Sequence, residues 1–134
     1  MPFALRRGPA PALRLERTSY RPGDAVRVTV SVPDLAQCGR GHVRLRCHLP
    51  PDAALDPLVD PLEFAGCEPE CVEIARAELA PSPSEPERLI ATVHLPADAQ
   101  PTCRGEREVA AWEVVAVVGR RAANAWLEVL PPGA

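Results

Sequence analysis

Five cysteines and three histidines are the side chains of this 134-residue chain best suited to bind a metal or break a bond. Cys67-Glu68-Pro69-Glu70-Cys71 places two thiols where one ion could reach both, with Cys38, Cys103, His94 and His48 as completions. Structural zinc takes four nitrogen or sulfur ligands, usually as two close pairs. The only other close pair is Cys47 with His48, and neighbours on a strand point to opposite faces. A zinc-binding structural or regulatory module using Cys67, Cys71, Cys103 and His94 is therefore the alternative reading. Thiol catalysis needs a cysteine beside a histidine that is oriented by a carboxylate. Alternation again separates Cys47 from His48, and Cys103 meets His94 only across a loop. The acids between 52 and 87 are interrupted by prolines and lack the alternate spacing and central glycine of a calcium loop. No catalytic constellation emerges, so no enzyme, no catalytic residue and no cofactor are expected.

The elements that carry these residues are strands. Seventeen prolines with two tryptophans, two phenylalanines and one tyrosine describe a loop-rich domain with a core of valine, leucine and alanine. The prolines fall between the apolar runs, as strands and turns require. At 14.4 kDa the chain is expected to form one domain that buries a sufficient core without staples.

Tyr20-Arg21-Pro22-Gly23-Asp24 is a turn that Pro22 pre-bends and Gly23 permits at positive φ. It feeds Val26-Arg27-Val28-Thr29-Val30-Ser31-Val32, whose four valines share one face. Val43, Leu45, Cys47 and Leu49 repeat the pattern with Arg44, Arg46 and His48 outward, until Pro50-Pro51 stops it. Leu13-Arg14-Leu15-Glu16 is a shorter first strand. Residues 51–70 read as an irregular connection with a helical turn around 52–55. Residues 71–79 alternate poorly, which a bulge near Arg76 would reconcile. Residues 81–86 are a hairpin loop, and Leu89, Ala91, Val93 and Leu95 point inward from the strand that follows. Residues 109–118 are apolar on both faces, as in a central strand or one bordering an interface. A last strand spans 125–130. The sum is an all-β, single antiparallel β-sandwich of about seven strands over 12–130, with an extended lead-in at 1–11 and a tail at 131–134.

All fifteen basic residues are arginine, which is what a GC-rich genome would produce. Residues 1–50 hold nine arginines against three acids, and residues 51–88 hold ten acids against two arginines. Either basic and acidic strands pair across the sandwich, or the acidic stretch docks a partner. Basic residues are neither in excess nor interleaved with aromatics, so no nucleic-acid footprint is present. An odd number of cysteines, with Gly8-Pro9-Ala10-Pro11 where a signal peptide would need an apolar stretch, points to the cytoplasm. The longest apolar run, 109–118, is too short to span a bilayer.

Two segments resemble the arrestin-like β-sandwich family. Tyr20-Arg21-Pro22-Gly23-Asp24 with its valine strand is similar to the family's aromatic-x-Pro-Gly-acid turn. Residues 95–105, Leu-Pro-Ala-Asp-Ala-Gln-Pro-Thr-Cys-Arg-Gly, followed by Trp112-Glu113-Val114, are similar to its Leu-Pro…Pro-Ser-Phe-x-Gly…aromatic-x-Val pattern. Thr102 and Cys103 replace the family's Ser and Phe, and the chain holds one sandwich where eukaryotic members have two. The resemblance implies a non-enzymatic, bacterial-type adaptor that binds a protein partner or itself through a sheet face or edge strand. Val115, Val117 and Trp126 are the expected contacts, with Arg44 and Arg46 as a charged rim. Those arginines could equally pair with Glu113 or Glu128, and residues 1–11 or a loop could cover Trp126.

Overall fold

The computed structural model describes residues 11–33, 40–49, 70–85 and 87–133. Cys38, Cys67, residues 1–10 of the expected lead-in and the helical turn expected at 52–55 lie outside the described residues. Within them no helix occurs, and the chain runs through β1 (Ala12–Leu15), β2 (Ser19–Tyr20), β3 (Ala25–Ser31), β4 (Gly41–Leu49), β5 (Glu70–Glu78), β6 (Ala80–Pro81), β7 (Arg88–His94), β8 (Cys103–Arg104), β9 (Arg107–Glu108), β10 (Ala111–Val118) and β11 (Arg121–Val129). Seven of these strands have four residues or more, as the alternation predicts.

One sheet has the order β1-β3-β7-β6 and the other β2-β11-β10-β4-β5, with β8 and β9 forming a small ribbon. Pairing is antiparallel except where β2 meets β11, Ser19 opposite Glu128 and Tyr20 opposite Val129. The chain leaves β1, crosses to the other sheet and arrives alongside β11 in the same direction. Two residues pair there before Pro22 turns the chain back.

The two sheets enclose a core set by alternation. Val26, Val28 and Val30 of β3 face Val43, Leu45 and Cys47 of β4 and Trp112, Val114, Ala116 and Val118 of β10, all buried. Each buried valine contributes about 1.5–3 kcal/mol relative to an exposed one. The bulge lies at Ile74: Leu45 pairs with Ala75 and Arg46 with Glu73, leaving Ile74 as the extra residue. That is two positions before Arg76, where the broken alternation predicts it.

The segments that resemble the arrestin-like pattern close one end of the sandwich. Asp24 N–H donates to the Arg21 carbonyl at 3.0 Å, while the Asp24 carboxylate accepts from Arg21 N–H at 2.9 Å. Gly23 N–H then donates to the Pro96 carbonyl, and Leu95 N–H to that of Asp24, both at 2.9 Å. Farther along, Trp112 Nε1–H donates to the Gln100 carbonyl at 2.9 Å, and the Thr102 hydroxyl accepts from Val129 N–H at 2.8 Å. The Thr102 hydroxyl therefore holds the end of β11. Fully buried Tyr20 anchors the same end, its hydroxyl accepting from Arg17 N–H at 3.0 Å.

Gly23 sits at φ +87°, the left-handed region required after a proline in this turn. Its missing side chain would meet only Ala97 Cα at 3.9 Å, so the constraint is conformational and not steric. Gly23→Ala should lower stability by about 1–2 kcal/mol, measured by urea unfolding with an unchanged m-value.

Candidate functional site

The outer face of the five-stranded sheet gathers most of the sequence-predicted site residues. Register sets them in rows across β11, β10, β4 and β5. Trp126 lies opposite Glu113, Glu113 opposite Arg46, and Arg46 opposite Glu73. Asn124, Val115, Arg44 and Arg76 form the next row, and Ala122, Val117, His42 and Glu78 the one after. The exposed apolar side chains of the face thus lie on β11 and β10, around Glu113 and Asn124, and its arginines on β4 and β5. Alternation dictates this, because the core claims the other half of each strand.

Trp126 is 55% exposed, more than any other large apolar side chain among the described residues. Its ring packs at 5.3 Å and 50° against His48, two strands away, which limits its rotamers. Val115 and Val117, one and two rows farther along the face, are half-buried. No described residue hides Trp126.

Glu113 is the buried charge of this face, 8% exposed in an otherwise apolar strand. One carboxylate oxygen accepts from His48 Nε2–H and the other from Asn124 Nδ2–H, each at 2.8 Å. Sequence reasoning offered Glu113 to Arg44 or Arg46, and the structure corrects that. Arg44 lies 3.7 Å from Glu73 and 3.2 Å from His42 Nε2, while Arg76 donates to Glu73 at 3.1 Å. The cause is register: β5 places Glu73 against the exposed side of β4, whereas His48 and Asn124 reach the buried carboxylate. The Arg76 hydrogen bond, reinforced by Arg76, Arg44 and Arg46 as charges, holds the Glu73 carboxyl below its usual range. Glu128, the other expected partner, accepts from the Ser19 hydroxyl at 2.9 Å. Basic β4 therefore does meet acidic β5, side by side in one sheet and not across the sandwich.

The structure also brings together a thiol, an imidazole and a carboxylate that sequence reasoning missed. Cys71 is opposite His48, with its Sγ 3.9 Å from the same Nε2 that donates to Glu113. A nucleophile needs the histidine to orient through one nitrogen and accept a proton at the other. Here both neighbours compete for one nitrogen, and it already carries the donated proton. The signal in sequence was a lone acid in the apolar run 109–118, which must find polar partners. Its partners lay on other strands at a register no local pattern discloses.

Of the proposed zinc set, Cys71, Cys103 and His94 lie among the described residues, and these three do not come together. Cys71 and His94 lie on the outer faces of different sheets, and Cys103 belongs to the small ribbon. Among the described residues no three histidines, cysteines or acids are placed to hold an ion. Cys47, Cys71 and Cys103 are free thiols. Burial, then the neighbouring Cys71, pushes the Cys47 thiol up to about 11.

A groove of about 280 Å³ opens between the sheets at β5, lined by Cys47, Leu49, Val72, Ile74, Trp112 and the 96–100 segment. Another of about 470 Å³, at the turn end, includes Asp98 and Arg104 but neither histidine nor cysteine.

Two measurements check this geometry. Glu113→Ala should cost about 1–2 kcal/mol by denaturant unfolding, since two hydrogen bonds are lost but both donors can turn toward water. Pulsed alkylation at pH 8, read by mass spectrometry, should label Cys71 in the folded protein. Cys47 should stay unlabelled until the chain unfolds, because its thiolate forms only around pH 11.

No protein-family model matches the chain, and no curated protein matches it. Among solved structures it is similar to Spo0M, the sporulation control protein of Bacillus subtilis, with a TM-score of 0.60 and 17% identity over 91% of this chain and 49% of that one. The chain spans about half the length of that protein. It also aligns with the alkylpurine DNA glycosylase AlkC of Pseudomonas fluorescens bound to DNA containing an abasic site analog, over 93% of this chain and 32% of that one. At a TM-score of 0.32 and 9% identity, that likeness carries no argument. What the chain shares with Spo0M is the fold, the arrestin-like β-sandwich that its turn and strand patterns resemble.

Proposed function

We propose that this chain is a non-enzymatic interaction module of the cytoplasm, which binds a protein partner through the outer face of its five-stranded sheet. The observation that carries this reading is Trp126, a 55% exposed tryptophan on a regular strand, steadied by His48, with Val115 and Val117 one and two rows farther along the same face. Tryptophans held in one rotamer beside aliphatic neighbours are the anchors that dominate protein interfaces.

Glu113 makes the face suitable for covering. Both carboxylate oxygens already accept hydrogen bonds, so a partner can exclude water from the centre without stranding a charge. The flank nearest the patch is basic. Arg44 is held by Glu73, whereas Arg46 makes no ion pair among the described residues. The fitting partner therefore presents apolar side chains with a carboxylate beside them.

The same geometry argues against bond chemistry. Among the described residues the one thiol near an imidazole, Cys71, faces a nitrogen engaged with Glu113, and the Cys47 thiol is buried and protonated at neutral pH. No helix among the described residues is long and apolar enough to cross a membrane.

Affinity capture from the protein's own cells should retain a protein that Trp126→Ala and Arg46→Glu both lose and that a Thr92→Ala control on the other sheet keeps. The melting temperature of Trp126→Ala should fall by less than about 2 °C, as expected of a side chain outside the core. Retention by both variants, or a drop of many degrees, would overturn the reading.

A further inference from the structure

We propose that β5 is a self-complementary edge through which two copies of this chain pair antiparallel, joining their five-stranded sheets into one. This deepens the reading of the chain as an interaction module but does not depend on the Trp126 face.

β5 is the outermost strand of its sheet, nine residues long, and it pairs only with β4 among the described strands. Such an edge presents unpaired backbone donors and acceptors to any strand that matches it. In a regular strand Glu73 and Arg76, three residues apart, would point to opposite faces. The extra residue at Ile74 returns both to the outer face, where they hydrogen-bond to each other at 3.1 Å. Val72, Ile74, Ala75 and Ala77 lie on the other face, toward the core and the groove beside it.

That pattern is symmetric about the bond between Ile74 and Ala75. A two-fold axis there sets Glu73 opposite Arg76 of the second copy, and Arg76 opposite its Glu73. The same axis sets Val72 opposite Ala77, Ile74 opposite Ala75 and Cys71 opposite Glu78. Every pair keeps outward with outward and inward with inward, and both charged crossings join opposite signs. An axis through any single residue would forfeit the two charge pairings. Ile74, 37% exposed, would be covered at the centre of the joint. A second copy is thus the occupant that the charges specify, since an unrelated strand would have to reproduce the same reversed order. Edge pairing alone is a small interface, so the dimer is weak.

The test is sedimentation of the wild-type chain, of Glu73→Arg and of Arg76→Glu, alone and mixed. Wild type should show a concentration-dependent dimer. Each variant alone sets like charges at both crossings and should dimerise about tenfold more weakly or worse. An equimolar mixture restores opposite charges at both and should recover a heterodimer near wild-type strength. Loss of the intramolecular Glu73–Arg76 contact is the same before and after mixing, so recovery cannot come from the monomers.

Hydrogen exchange of the wild-type dimer should add protection over 70–78, which keeps the proposal testable should a variant not fold. A chain monomeric at the highest soluble concentration, variants that dimerise like wild type, or a mixture that stays monomeric would each overturn the proposal. So would new protection confined to β10 and β11. Trp126→Ala should leave the dimer intact while removing the captured partner, so the two readings fail separately.

Discussion

A strand has only two faces, and that constraint organises this molecule. Because alternate side chains point apart, the eleven strands among the described residues commit one set of residues to the space between the sheets and leave the other outside. The inward set is almost wholly aliphatic, with Tyr20 and Trp112 as the buried aromatics among the described residues. Both have polar tips and both find partners in the chain segments that close one end, Tyr20 through Arg17 and Trp112 through Gln100. Burying these rings therefore leaves no orphaned donor or acceptor, as a dry core demands. Once the core has claimed its half, the outer composition follows: valines, an alanine and a tryptophan interspersed with Glu113, Asn124 and Glu128 on β10 and β11, and histidines, arginines and acids on β4 and β5.

The strands that alternate without fault were legible in the sequence. Val26 to Val32 and Val43 to Leu49 determine their own faces, because shifting either by one residue would expose every valine. The turn before β3 was legible for a different reason: proline followed by glycine suits its dihedral angles, and Gly23 at φ +87° supplies the positive φ. What escaped depended on register between strands distant in sequence. His48, Glu113, Asn124 and Cys71 converge from four strands, and nothing local to any of them names the others. The parallel contact of β2 with β11 escaped likewise, since it follows from where the chain crosses between sheets. Cys71, Cys103 and His94, the described members of the metal set, lie on different sheets and the small ribbon, a separation that spacing along the chain does not reveal.

His48, Glu113 and Cys71 also show how little separates a reactive cluster from a structural one. All three residue types of a thiol mechanism are within reach of one another, with Sγ 3.9 Å and a carboxylate oxygen 2.8 Å from the same nitrogen. Catalysis requires two different nitrogens to be engaged, one holding the ring and one free to accept a proton. Sharing one turns the cluster into a brace, in which the carboxylate orients the imidazole and the imidazole steadies Trp126. The brace favours binding over reaction, because it fixes an apolar anchor and leaves the buried carboxylate satisfied.

The bulge at Ile74 is where the two-face rule is broken, and the break has geometric consequences beyond β5. Bulges and charged residues usually guard an edge strand against indiscriminate pairing, and β5 carries both. Guarding and specificity are compatible when the irregularity is symmetric, since a strand that lacks the matching extra residue slips out of phase after the first few pairs. A two-fold axis through that edge runs perpendicular to the joined sheet, so both outer faces look the same way. Two Trp126 patches would then lie on one surface, separated by a distance the rigid sheet determines. A partner carrying two suitably spaced sites would bind more tightly than either face alone allows, because its second contact becomes intramolecular. The weakness of an edge-only dimer would then be no obstacle: partner binding and pairing would reinforce each other, and each of the two contacts could be modest.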